Sequence, residues 1–227
     1  MTATQDLVAH PRAFLRHNML MLGVGAMNPA PEQLRPDGTM RLKLVDVGDG
    51  YNLTRVRNRK GIPKLLNWIN GTEQTKATNF YSVNPALATD PETFFAYVCP
   101  YAQDQSLSKQ LGDAASLMFT AEMSGCSFGI GIPGPNGSVL VMHSNESLLA
   151  TRESTAPQAL GQLQRLTEGG ATNKMLLPEN YRRVDDDNFI DHRATTVGIR
   201  KGRKWEFWYQ KFQAGGDRHM MAVMKIG

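Results

Sequence analysis

At 227 residues, with 41% hydrophobic and 20% charged residues, the chain has the size and composition of a globular protein, and one catalytic domain over 1–227 is the simplest division. A net charge of +4 favours acidic surfaces without demanding nucleic acid, and two cysteines are too few for a disulfide scaffold. No apolar run reaches the ~18–20 residues that span a bilayer, and Met1 to His17 has no Sec-type apolar core, so a soluble protein without membrane partners is expected.

Taken in order, residues 4–24 read as a helix broken near Pro11, and Asn28 to Gly38, with its prolines, as a loop. Met40 to Val47 alternates apolar and polar residues and predicts a strand, closed by Gly48-Asp49-Gly50. Ile62 to Ile69 reads as a helix entered at Pro63, and Thr72 to Ala88 as polar and irregular. Asp90-Pro91-Glu92 resembles a helix start running to Val98, and Ser106 to Phe119 a further helix with Leu107, Leu111, Ala114, Ala115 and Met118 on one side.

Gly125 to Ile132 then predicts a strand, Pro133-Gly134-Pro135-Asn136-Gly137 a turn, and Ser138 to His143 the returning strand. Folded about Gly134 and Pro135, this hairpin sets Ile130 opposite Val139, Phe128 opposite Val141 and Cys126 opposite His143. Opposed residues hold their Cβ atoms ~4.5–5.5 Å apart, within reach of a thiol–imidazole hydrogen bond. A thiol beside an imidazole is the chemistry of a cysteine nucleophile and its base. A one-residue slip would instead turn His143 to the other face, with His192 as reserve base, and a Cys99–Cys126 disulfide would compete for the sulfur.

Pro157 to Thr167 predicts a helix that ends at Gly169-Gly170. Ala194 to Arg200 and Lys204 to Phe212 form a hairpin, and Met220 to Ile226 a last strand. Strands and helices mix without a βαβ rhythm, which predicts an α+β fold with a mostly antiparallel core and helices outside.

Neither a cofactor nor a metal is called for. Gly23-Val24-Gly25 and Gly129-Ile130-Gly131 lack the strand-to-helix setting of a dinucleotide loop; Gly129 and Gly131 instead let another backbone or a substrate come close. Asp185-Asp186-Asp187 and Asp191-His192 lack a calcium-loop pattern. Arg200 to Lys204, with Trp205, Phe207 and Tyr209 on one face, admits a nucleic-acid stacking surface, but a basic turn over an aromatic core face is the favoured reading. Trp208 on the other face is a candidate partner contact. Arg55 to Lys60 is a second basic cluster that would steer an acidic protein.

Met123-Ser124-Gly125-Cys126 resembles the Leu-Ser-Gly-Cys signature of the glutamine deamidases, the group of the cytotoxic necrotizing factor catalytic domain, the Burkholderia lethal factor and the chemoreceptor deamidase CheD. Thr120 precedes the cysteine by six residues and His143 follows it by seventeen, spacings similar to those in that family. Met123 departs from the signature's leucine, and the match covers roughly residues 118–146. The resemblance implies a β-sandwich surrounded by helices and a site of Cys126, His143 and Thr120, the last acting through hydroxyl or carbonyl. Small Ser124 and Gly125 would let backbone N–H groups reach an oxyanion. The implied reaction converts a glutamine of a protein substrate to glutamate through a thioester, in a bacterial toxin or effector delivered into a host. Another cysteine hydrolase and a nucleic-acid-binding module are the alternatives.

Overall fold

The strands assemble into two sheets. A computed structural model describes residues 1–27, 33–47, 79–149, 156–182, 192–213 and 219–227. The larger sheet contains β1 (Asn18–Leu22), β2 (Met40–Asp46), β3 (Asn79–Pro85), β4 (Phe94–Cys99), β6 (Leu117–Thr120), β10 (His192–Lys201), β11 (Lys204–Gln213) and β12 (His219–Lys225). Their spatial order is β1-β3-β2-β4-β6-β10-β11-β12; the β1–β3 and β4–β6 pairs are parallel and the others antiparallel. The smaller sheet holds β5 (Ser106–Leu111), β7 (Ser127–Ile130), β8 (Val139–Ser144) and β9 (Lys174–Leu176) in the order β5-β8-β7-β9, all antiparallel.

The fold is α+β, with the sheets face to face. Tyr97, Met118, Phe207 and Tyr209 of the larger sheet share one buried cluster with Phe128, Ile130, Val139 and Val141 of the smaller. The other side of the larger sheet is covered by α1 (Ala3–Ala9) and α2 (Pro11–His17), whose Leu7, Phe14 and Leu15 pack with Leu117, Phe119, Val197 and Ile199. Thr2 and Gln5 form a capping box at the start of α1, and Pro11 opens α2. Gln210 is wholly buried where α2 meets the sheet. Its Nε2 donates to the carbonyls of Leu15 (2.8 Å) and Asn18 (2.6 Å), and its Oε1 accepts from the Leu20 amide (2.8 Å). A short helix, α3 (Val24–Met27), follows β1.

On the outer side of the smaller sheet lies α4 (Ala156–Glu168). It ends as expected at Gly169-Gly170: Gly170 takes φ 71°, and the Ala171 amide donates to Leu166 O at 2.8 Å. Its buried residues, however, are Gln158, Gln162 and Leu166, while Leu160 and Leu163 face outward. Gly129 of β7 fits this contact: a Cβ there would lie 2.3 Å from Ala171 O and 2.7 Å from Leu166 Cδ2. The backbone reading of Gly129 is the observed one. The last helix is α5 (Pro178–Tyr181).

The break at Pro11, the strand from Met40, α4, the β10–β11 hairpin and β12 agree with expectation. Four elements differ. The N-terminal helix gives way to β1 at Asn18, and β3 occupies part of the stretch read as irregular. The segment after Asp90-Pro91 is strand β4, rich in aromatic and β-branched residues that suit a doubly covered sheet. Asp90 does not cap a helix: it accepts from the Leu87 amide at 2.8 Å and pairs with Lys43 at 3.0 Å. The helix expected over Ser106 to Phe119 is two strands in different sheets, β5 and β6, separated by a bend that begins at Gly112-Asp113. The turn at Gly48-Asp49-Gly50, the helix at Ile62, the basic cluster at Arg55 and the acidic run at Asp185 lie outside the described residues.

Candidate active site between the two sheets

The β7–β8 hairpin forms, with its register displaced from the symmetrical one. Phe128 pairs with His143, Gly129 with Met142 and Ile130 with Val141. Cys126 is therefore not directly opposite His143 but diagonal to it, just before β7. The cause is the turn: Asn136 (φ 59°) and Gly137 (φ 75°) both adopt positive φ, the signature of an Asn-Gly hairpin reversal, so the chain reverses later than Gly134-Pro135. The displacement is an even number of residues, so the two positions keep one face. The expected thiol–imidazole hydrogen bond is nevertheless not formed: His143 Nδ1 is taken by Thr120, and Nε2 has no partner among the described residues. Cys126, Phe128, Val139 and Val141 belong to the cluster between the sheets, whereas Met142 lies in the separate cluster under α4.

Thr120 comes to this space from the other sheet. It ends β6, two residues after Met118, and its Oγ1 stands 2.7 Å from His143 Nδ1. Thr120 and His143 are thus brought together through the side-chain hydroxyl. Both are buried, and His143 Nε2 has no hydrogen-bond partner among the described residues. A buried polar atom left open calls for an explanation, and a proton acceptor at rest supplies one. With Thr120 Oγ1 accepting from Nδ1–H, the Nε2 lone pair is free for a proton. The Tyr101 ring packs against the imidazole at 5.0 Å between centroids, and Asn145 donates to the Tyr101 hydroxyl at 2.8 Å.

Cys126 is free and buried, as is Cys99, so no disulfide competes for the sulfur. The backbone around Cys126 is held at two points, and a third bond fixes the side chain that makes one of them. Tyr181 Oη donates to the Cys126 carbonyl at 2.8 Å, Gln162 Nε2 donates to the Gly125 carbonyl at 2.9 Å, and Ser127 Oγ donates to Gln162 Oε1 at 2.6 Å. Gly125 takes φ 155°, and a Cβ there would stand 3.2 Å from Arg182 Nη1. Such clamping fixes a reacting atom more firmly than a free loop would. Gln162, Tyr181, Arg182, Tyr101 and Asn145 carried no sequence signal of this role. Two glutamines four residues apart in an otherwise amphipathic helix are the nearest to one.

Burial sets the charges. It pushes the Cys126 thiol up to about 12, against the pull of the Ser124 backbone amide and of Arg182, and it lowers His143 to about 3. At neutral pH the closed site therefore holds a thiol and a neutral imidazole. A cavity of about 570 Å³ is lined by Tyr101, Ala121 and the Glu122–Arg193 ion pair together with Leu22 and Phe80, and none of Thr120, Cys126 or His143 is in its wall.

His192 is buried at the start of β10. Phe207 and Tyr209 are buried between the sheets, so they cannot stack nucleic-acid bases; Trp205 alone of that face is partly covered. Trp208 packs against the helix-side cluster, with the Arg12 guanidinium 4.7 Å from its ring centre. Among the described residues no group of His, Cys, Asp and Glu is arranged to hold a metal, and no helix is long and apolar enough to cross a membrane.

No protein-family profile matches the chain, and no curated protein matches its sequence. Among solved structures it is similar to the C-terminal domain of CNFy from Yersinia pseudotuberculosis, with a TM-score of 0.31 and 8% identity. That match covers 59% of this chain and 61% of that one.

Proposed function

We propose that the chain is a cysteine-dependent glutamine deamidase that converts a glutamine side chain of a target protein to glutamate. The observation that carries this reading is the state of His143: buried, held at Nδ1 by Thr120, open at Nε2, and on the same sheet face as a free, backbone-clamped cysteine. The Met123-Ser124-Gly125-Cys126 resemblance narrows a generic cysteine hydrolase to amide hydrolysis at glutamine.

In the proposed reaction Nε2 takes the Cys126 proton, and the thiolate attacks the side-chain amide carbon. The imidazolium then protonates the departing nitrogen, ammonia leaves and a thioester remains. His143 next deprotonates a water that attacks the thioester, releasing glutamate and restoring the thiol. Thr120 acts as the orienting member, holding the tautomer that keeps Nε2 unprotonated. Because burial holds both groups neutral at rest, the ion pair forms when a bound amide replaces part of the apolar wall and the Ser124 amide and Arg182 assist the sulfur.

Glutamine to glutamate adds one negative charge, which at a buried or interface position of the target costs several kcal/mol. That suits a toxin or effector acting on a host protein, and the net charge of +4 favours an acidic target surface.

The test incubates wild-type protein and Cys126→Ser with cell extract and searches the proteome by mass spectrometry. Glutamine-to-glutamate conversion on an intact backbone, with ammonia released only by the wild type, supports the reading. A cut backbone or an amine adduct on the target makes the protein a protease or transglutaminase instead.

A further inference from the structure

At the opposite end of the sandwich from Cys126 and His143, the tips of two hairpins enclose a second cavity of about 600 Å³, within the usual range of small-molecule sites. Ile130 lines it, and β7 separates Ile130 from Cys126 by four residues, about 13 Å along a strand. None of Thr120, Cys126, His143 or the residues that hold them is in its wall. It is a separate site, and its role is independent of the deamidase reading.

Its walls are of two kinds. Val139, Phe207, Ile130 and Ile226 provide buried apolar surface. Trp205 adds a partly covered indole, stacked on Phe207 at 6.2 Å between ring centres and held through Nε1 by the Gly112 carbonyl at 3.3 Å. Lys174, Arg203 and Lys204 supply the charge, and none has an ion-pair partner among the described residues. Lys174 pairs in register with Ile130, which places it on the sheet face that looks into the sandwich. The acid in the wall, Glu206, is committed to Lys225 at 2.9 Å and Arg12 at 3.8 Å. Among the described residues, then, Lys174, Arg203 and Lys204 face the mouth without a paired acid.

The enclosure is built in. Gly137, at the β7–β8 tip, lies so close to the β10–β11 tip that a Cβ would stand 1.7 Å from Arg203 O. The two turns lock against one another, so the cavity exists before any ligand arrives.

An anion alone would use the cations and leave the indole idle; an apolar molecule would do the reverse. We propose that this cavity binds a planar, phosphorylated small molecule of the nucleoside di- or triphosphate class. Its ring packs on Trp205 and its phosphates engage Arg203, Lys204 and Lys174. A nucleic-acid strand fits less well, because Phe207 and Tyr209, next along the same face, are buried and offer no further stacking surface.

The experiment titrates the full chain with ATP, adenosine, tripolyphosphate and a series of single-stranded oligonucleotides at low salt, by calorimetry. Saturable ATP binding with Kd below about 1 mM is expected, with adenosine and tripolyphosphate each at least ~10-fold weaker. Arg203→Ala/Lys204→Ala changes two exposed side chains and should weaken ATP ~10-fold or more without altering the melting temperature. Trp205→Leu should cost ATP affinity but leave tripolyphosphate unchanged. The proposal is overturned by ATP binding no tighter than tripolyphosphate, by unchanged affinity in the double variant, by no ATP binding, or by affinity that climbs with oligonucleotide length.

Discussion

Thr120 and His143 belong to different sheets, and the 2.7 Å contact between Oγ1 and Nδ1 is a hydrogen bond across the sandwich. The pair couples the orientation of the imidazole to the docking of the two sheets. Removing the hydroxyl without changing shape, as in Thr120→Val, leaves Nδ1 buried without its partner. The unsatisfied group costs about 1–3 kcal/mol of stability. If Thr120 also sets the tautomer, kcat falls ~10–100-fold with KM little changed, the pH–rate profile shifts, and Thr120→Ser restores most of the rate. Thr120→Val that melts lower yet keeps its pH–rate profile would make the threonine structural only.

His143 predicts a pH signature in stability. Its folded-state value is lowered to about 3 by burial, against an ordinary 6.5. Between those values the unfolded chain binds a proton that the folded chain refuses, so stability falls as pH drops from about 6.5 toward 3. The slope contributed is at most about 1.4 kcal/mol per pH unit. Urea unfolding of wild type and His143→Gln across pH 4–7 isolates this contribution by difference. Parallel curves for the two proteins would show that the imidazole is not held neutral.

Much of this site is legible in the sequence because a hairpin obeys a period of two. Any even displacement keeps Cys126 and His143 on one face, so the pairing of faces survives a wrong register. The register itself departs from the symmetrical one because the positive φ of Asn136 and Gly137 carries the reversal about one residue past Gly134-Pro135. The helices expected at Asp90 and Ser106 fail for a different reason. Short apolar runs such as Phe94–Cys99 fit either period, and Gly112-Asp113 in the middle of the second run marks a break that residue spacing alone conceals. The clamps at Gln162 and Tyr181 come from remote segments, and polar residues on a helix give no local sign of what they will meet.

Tyr181 holds the peptide of Cys126, since its hydroxyl donates 2.8 Å to the Cys126 carbonyl in a buried setting. Tyr181→Phe keeps the ring and loses the donor, which leaves a buried carbonyl unpaired and costs about 1–3 kcal/mol. Freed of that tie, Cys126 would lose its alignment, and kcat should drop while KM holds. Unchanged turnover in a protein that melts lower would separate fold support from positioning.

Gly129 tests the packing behind the site. A methyl group there meets Ala171 O at 2.3 Å and Leu166 Cδ2 at 2.7 Å, and one of these is backbone that cannot swing away. Gly129→Ala should destabilise by about 1–3 kcal/mol, lowering the melting temperature by roughly 2–10 °C. A wild-type melting temperature for the variant would mean that α4 does not press on β7 in this way.

The raised thiols give the most direct test of the resting state. Cys126 and Cys99 are both pushed up to about 12 by burial, so little of either is thiolate at pH 8. Alkylation of the native protein by iodoacetamide should run at least ~100-fold slower than that of free cysteine, because the thiolate is the attacking form. Cys126 should still react before Cys99. It is 5% exposed against 0%, so the reagent reaches it first. Peptide mapping by mass after timed quenching reads both rates at once. Rapid labelling of Cys126 without any substrate would mean that a thiolate–imidazolium pair already exists in the closed site, and the requirement for an incoming amide would fall.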